Sequence, residues 1–281
     1  IFASVLAVVG VATLYRINTV TAIKQLVWIS LGIIAYILIV VILPDLKSFV
    51  KYKNIYMIIT LILMPLALIF GTELYGAKNW IIIGPISFQP SEFGKIALVL
   101  YLAAALSSYE AKNNFKGDAK QLWQPALVAG FSMGCMVLQR DLGSALIFFG
   151  ISITLLYVAT SKRKYVFTAL GLAAIGSVAG YAMFGHVRER VKIWLDPWKY
   201  ALGSSYQIVE GMYSIAAGGL FGVGLGQGHF ENLPVKESDM IYAIICEEFG
   251  IIFAIGLMII YFLLFYRGIE QHLLQKTVIH N

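Results

Sequence analysis

Apolar runs long enough to cross a bilayer recur along almost the whole chain. Few folds tolerate that pattern, because hydrocarbon offers no hydrogen-bond partner and a spanning segment must satisfy its own backbone. About 20 apolar residues of helix cross the ~30 Å hydrocarbon layer. The sequence therefore predicts an all-α, polytopic membrane protein. About eight transmembrane helices are expected, near 1–14, 25–43, 54–71, 93–108, 123–139, 142–160, 165–185 and 240–266. Composition agrees, since 59% of the 281 residues are hydrophobic and 13% are charged, about half the charged share of a soluble domain. The chain opens on Ile1 inside an apolar run, so its natural start is expected to lie upstream and no cleavable signal can be judged.

Lys and Arg in short loops set orientation. Lys47, Lys51 and Lys53 follow the second span, Lys112, Lys116 and Lys120 the fourth, and Lys162, Arg163 and Lys164 the sixth. The alternate loops hold Arg16 with Lys24, then Lys78, then Arg140. The richer loops are expected in the cytoplasm, which places the long segment 186–239 outside. The same bias accounts for much of the net charge of +6. Nucleic acid is excluded as a partner, because its footprint needs a basic face on a folded domain. Cys135 and Cys246 lie in apolar runs and read as packing residues. His186, His229, His272 and His280 are scattered without metal-ligand spacing, so no metal site is expected.

Asp239 is the leading candidate for chemistry. It sits where 186–239 meets the last apolar run, in LPVKESDMIYAIICEEFG (233–250), and an ionisable group at a membrane boundary is by default a functional hypothesis. The competing reading is an N-cap, a position that suits both Ser238 and Asp239.

In NWIIIGPISFQPSEFGKIALVLYLA (79–103), Pro85 and Pro90 bracket an apolar piece too short to span, as in a re-entrant or interfacial element. Ser91 reads as an N-cap, with Glu92 in the first helical turn. Glu92 and Lys95 share a helix face, either as a self-neutralising pair or as a charged cavity wall. Trp80 suits a membrane interface. In LQRDLGSALIFFG (138–150), Asp141 can cap the following helix. The segment 186–239 carries five basic and six acidic residues. Its cationic edge, Arg188, Arg190 and Lys192, suits local capture of a phosphate. Six glycines within 218–228 form either an anion nest or a tight packed turn. They match neither a Walker A nor a dinucleotide fingerprint.

Taken together, NWIIIGPISFQPSEFGK, LQRDLGSA, RVKIWLDPW, SYQIVEGMYSIAAGGLFGVGLG and LPVKESDMIYAIICEEFG resemble the SEDS family of cell-wall polymerases, the RodA/FtsW/SpoVE type. The resemblance covers nearly the whole chain and implies a single SEDS domain over 1–281. It implies a polytopic inner-membrane glycosyltransferase that polymerises lipid II into peptidoglycan strands beside a class B penicillin-binding protein. The family's essential aspartate falls on Asp239, its W-x-x-x-G element on Trp80 and Gly84, and its QPSE-x-x-K element on Gln89, Pro90, Ser91, Glu92 and Lys95. The aspartate of its Q-x-D-L-G element falls on Asp141, with Arg140 where many members have proline. KESD stands where a histidine-threonine-aspartate run is commoner. Members typically have ten spans, the last two carrying an LPF-x-SYGG element, so the chain reads as a fragment.

Such chemistry needs a base for the acceptor hydroxyl and cations for the departing pyrophosphate. Asp239 is the candidate base, and Arg188, Arg190 and Lys95 are candidate pyrophosphate partners. Trp80, Glu92 and Asp141 join them as expected substrate-binding residues. No resident cofactor is implied, and a divalent cation at the pyrophosphate stays open. If 239–250 is helical, Ala243, Cys246 and Gly250 share Asp239's side and leave room for a partner helix or a lipid tail. Two rival functions remain. One is a lipid II flippase, favoured by Glu92, Lys95 and Glu247; the other is a non-catalytic scaffold for the penicillin-binding protein.

Overall fold

A computed structural model of the chain describes residues 1–42, 46–74, 76–84, 86–110 and 115–279. Pro85, Lys112 and His280 lie outside the described residues. The elements run α1 (Phe2–Ile17), α2 (Thr19–Ile42), α3 (Lys53–Phe70), β1 (Thr72–Leu74), β2 (Ala77–Ile83), β3 (Ile86–Phe88), α4 (Pro90–Leu106) and α5 (Phe115–Leu138). They continue with α6 (Leu142–Thr160), α7 (Arg163–Met183), α8 (Gly185–Leu195), α9 (Tyr206–Gly218) and α10 (Ile241–Ile279).

Among the described residues, five helical segments are long and apolar enough to cross a membrane: Thr19–Ile42, Phe49–Phe70, Leu142–Thr160, Arg163–Met183 and Ile241–Gly268. The chain is thus a multi-pass membrane protein by length and composition. Helices also form at the other three predicted spans, outside this set. At ~1.5 Å per residue, α1 and α4 reach only about 25 Å, and α5 opens on Lys116, Asp118 and Lys120. Outward-facing apolar side chains are what a lipid solvent demands: α7 buries no residue and α2 buries only Ala22.

The chain falls into two compact units, Leu43–Arg188 and Ile1–Ile42 with Glu189–Asn281. In the first, α4 packs against α3, α5 and α6 around Met64, Leu98, Tyr101, Met136 and Phe148. Gly94 admits Met64, whose Cε lies 1.9 Å from where a Cβ would stand. The stretch expected to be one re-entrant piece is instead part of a three-stranded antiparallel sheet, β1-β2-β3. This corrects the purely helical expectation. The reason is local: Ile81, Ile82, Ile83, Ile86 and Phe88 are β-branched or aromatic, and Gly84 lies at φ +60° between the two strands.

In the second unit, Asn18 ends α1 and caps α2, its Oδ1 accepting the N–H groups of Val20 (3.0 Å) and Thr21 (3.2 Å). The segment 186–239 is not a free loop, since it contains α8 and α9. α9 packs on α10, and α10 is broken at Gly250, at φ +82° and ψ 167°.

The break explains the clustered glycines. An unbroken helix would bond Ile251 N–H to the Glu247 carbonyl and Ile252 N–H to that of Glu248. Here those carbonyls accept from Val223 (2.9 Å) and Gly224 (3.1 Å), while Ile251 and Ile252 donate to Gly219 (3.0 Å) and Leu220 (3.3 Å). Two lost helical bonds become four between α10 and the glycine turn. A Cβ on Gly222 would stand 2.2 Å from the Glu248 carbonyl, and one on Gly250 2.4 Å from the Gly222 nitrogen. The tight-turn reading fits this packing: the Gly222, Val223 and Gly224 N–H groups are spent within the protein and are not available to an anion.

Candidate functional site

Asp239 lies at the end of the turn that leads into α10. The expected cap is absent: α10 starts at Ile241, whose N–H donates to the Ser238 carbonyl at 3.4 Å. Among the described residues the exposed Asp239 carboxylate has no hydrogen bond or ion pair. The turn beneath it is constrained. Val235 sits at φ +51°, a strained conformation for a β-branched residue, and its carbonyl accepts from both Ser238 (3.2 Å) and Met240 (3.3 Å). Phe230, Leu233, Ala243 and Ile244 form the apolar cluster below, with Met240 packed against it.

Glu237, two residues earlier, is tied at both oxygens. Asn18 Nδ2 donates to Oε1 at 2.8 Å and Thr21 Oγ1 to Oε2 at 2.9 Å. Those two bonds, Asn18's first, hold the Glu237 carboxyl below its usual range.

The room expected beneath Asp239 is filled. Ala243 and Cys246 are buried. Built Cβ atoms on Gly211 and Gly218 would strike Met240 and the Cys246 carbonyl, so α9 occupies the small-residue stripe. Glu247 and Glu248 are buried at the break. Glu247 Oε1 accepts the His229 N–H at 2.7 Å. Arg16 Nε approaches Glu248 Oε1 at 3.5 Å, its Nη2 donates to the Gly226 carbonyl at 2.8 Å, and its guanidinium lies 4.9 Å from the Phe230 ring centroid. In the sequence, Arg16 reads only as loop charge. The missed signal was Glu247–Glu248 inside an apolar run, since buried charges require partners.

In the unit Leu43–Arg188, Asp141 is the predicted N-cap of α6: its Oδ1 accepts the Ser144 N–H at 3.0 Å. Its Oδ2 accepts from Asn79 (2.8 Å), Gln89 (3.1 Å) and Ser144 Oγ (2.8 Å). This carboxylate joins β2, the start of α4 and the start of α6. Arg140 lies at φ +61°, a conformation that a proline ring forbids.

Glu92 and Lys95 form the predicted pair, Nζ lying 2.9 and 3.0 Å from the two carboxylate oxygens. Ser91 is not the cap. Gln89 holds that position with Pro90 at the first helical residue, and Ser91 Oγ is buried without a partner. Trp80 is half-buried in β2, opposite Thr72. Arg188 and Arg190 are exposed on α8 without an ion pair among the described residues. Asp118, outside every motif, is fully buried and accepts from Tyr109 (2.9 Å), Tyr165 (2.6 Å) and Lys162.

A family model described as a cell cycle protein, FtsW/RodA/SpoVE, matches residues 1–277, and the chain belongs to this family. It is 34% identical over 264 residues to peptidoglycan glycosyltransferase RodA of Mycobacterium tuberculosis (strain ATCC 25618 / H37Rv), covering 88% of this chain and 55% of that one. It is 34% identical over 253 residues to stage V sporulation protein E of Bacillus subtilis (strain 168), covering 88% and 68%. The chain thus spans little more than half of the mycobacterial relative. A structure described as "Structural coordination of polymerization and crosslinking by a peptidoglycan synthase complex" matches with a TM-score of 0.75 at 27% identity, over 95% of this chain and 74% of that one. The crystal structure of Thermus thermophilus RodA shares the fold, with a TM-score of 0.62 at 24% identity, over 95% and 71%.

Proposed function

We propose that the chain carries out peptidoglycan glycosyl transfer, polymerising lipid II, with Asp239 as general base. The acceptor sugar hydroxyl gives its proton to Asp239 as its oxygen bonds to the donor's anomeric carbon. The bond from that carbon to the lipid pyrophosphate breaks, and the electron pair leaves with the pyrophosphate. Arg188, Arg190 and Lys95 are assigned to the departing charge, which cations stabilise most where water is excluded. Glu92 and Trp80 are assigned to substrate contact, and Asp141 holds the strands and helices that present them. In this reading 1–281 is one SEDS domain with eight crossings, 186–239 lies outside the plasma membrane, and the partner is a class B penicillin-binding protein. A divalent cation at the pyrophosphate is compatible with it.

One observation carries the assignment of the base. Among the described residues Asp239 is exposed and free of partners, yet it sits on a strained turn whose Val235 carbonyl is held twice. Strain of this kind persists where the surrounding structure over-determines it, and it clusters at functional sites. The test is glycan-chain formation from purified lipid II by the full-length enzyme with its partner. A positioned base contributes about 10²–10⁴-fold, so Asp239→Asn should lose at least about 100-fold while inserting normally. Wild-type polymerisation by the Asn variant would remove the catalytic role and favour the flippase or scaffold.

A further inference from the structure

We propose that Glu237 is a positioning residue, a tether that fixes the Asp239 turn to the α1–α2 junction; the inference rests on Asp239 being the base. Three observations converge on it. First, both Glu237 oxygens are engaged across a large gap in sequence, by Asn18 and Thr21. Second, the donor is oriented beforehand: Asn18 Oδ1 is occupied by the Val20 and Thr21 N–H groups, so its amide N–H₂ can only face away from that cap. Third, Asp239 has no partner of its own among the described residues, and the turn around it contains Val235 at φ +51°. A strained turn relaxes unless something outside it holds it, and Glu237 supplies the side-chain link from this turn to α2. A structural ion pair would be the plain alternative, but neither donor is a cation: the bonds fix a direction as well as a distance.

The network predicts a rescue. Asn18→Asp keeps the helix cap but sets a carboxylate against a carboxylate, which should free the turn. Adding Glu237→Gln turns the introduced amide's N–H₂ toward the new carboxylate and leaves its oxygen for Thr21, restoring both bonds. With full-length enzyme, its partner and lipid II, Asn18→Asp should lower kcat by about 10- to 100-fold, the scale of a ~1 Å misplacement, with KM little changed. The double variant should recover most of that loss. A second arm reads the tether without chemistry: in a Ser238→Cys background, an impermeant maleimide should label several-fold faster when Asn18→Asp is present, and revert in the double variant.

Labelling rates that Asn18→Asp does not change would overturn the tether. Changed labelling with unchanged kcat, in an enzyme that Asp239→Asn inactivates, would overturn the positioning role. If wild-type protein polymerises nothing while labelling follows the rescue pattern, the glycosyltransferase reading fails and the tether stands.

Discussion

Gly250→Ala tests the joint between α10 and the glycine turn. The native backbone at φ +82° and ψ 167° lies in a region open essentially to glycine alone, and an alanine there costs about 1–3 kcal/mol. Its Cβ would also stand 2.4 Å from both the Gly222 nitrogen and the Leu220 carbonyl. These are backbone atoms, so the turn must move as a body. That movement breaks the four bonds joining 219–224 to 247–252, each contributing about 0.5–1.5 kcal/mol. The combined loss is at least about 3 kcal/mol, or roughly 6 °C in melting temperature at about 2 °C per kcal/mol.

Gly256, in the same helix, is the control. A Cβ there would meet nothing within 4 Å, and exchanging a helical glycine for alanine is worth about 0.5–1 kcal/mol in stability. Thermal unfolding of purified protein in detergent should therefore show Gly250→Ala well below wild type and Gly256→Ala at or above it. Equal melting temperatures for Gly250→Ala and wild type would refute the claim that reciprocal backbone bonds hold the break. Equal loss in both variants would show that glycine flexibility, and not the joint, is what α10 needs.

Four further outcomes follow from the same geometry. Arg16→Ala strips the partner from buried Glu248 and should cost about 3–5 kcal/mol, read as detergent melting, whereas Lys24→Ala should cost little. Asp118→Ala, which leaves Tyr109, Tyr165 and Lys162 without their shared acceptor, should destabilise by a similar ~3–5 kcal/mol. Reversing Glu92 and Lys95 together should restore folding better than either single change, but it should not restore polymerisation if either residue contacts substrate. Because the bonds from Asn18 and Thr21 hold the Glu237 carboxyl below its ordinary pKa, the stability it contributes is complete above that ordinary pKa and disappears as pH falls through its lower folded pKa. The melting gap between wild type and Glu237→Ala should stay constant from about pH 7 to 5 and close only in stronger acid.

Much of the helical framework is legible in the sequence because bilayer physics is blunt: long apolar runs have to be helices. The Glu92–Lys95 spacing and the Asp141 cap are legible for the same kind of reason, since both depend on neighbours within one helical turn. What the sequence hides is long-range pairing. The strands are hidden because the piece between Pro85 and Pro90 reads as an apolar re-entrant element, and its pairing with Ile81–Ile83 lies outside any periodic pattern. Arg16 with Glu248, and Asn18 with Glu237, are separated by more than two hundred residues, so no local pattern links them. The glycines are an intermediate case. Their density suits a tight turn or an anion nest, but nothing local shows that the turn completes a helix broken at Gly250, further along the chain.

The helix that follows Asp239 ends, on its far side, at a break whose hydrogen bonds come from the glycine turn, and the turn that holds Asp239 is tied to α2. The short stretch 233–250 is therefore fixed at both ends by distant residues, while the Asp239 carboxylate has no partner among the described residues. A side chain meant only to cap a helix needs neither anchor, because capping is satisfied by the N–H groups it touches. Two anchors around an unpartnered carboxylate are what a base needs, since its contribution depends on being held within hydrogen-bond reach of the proton it removes.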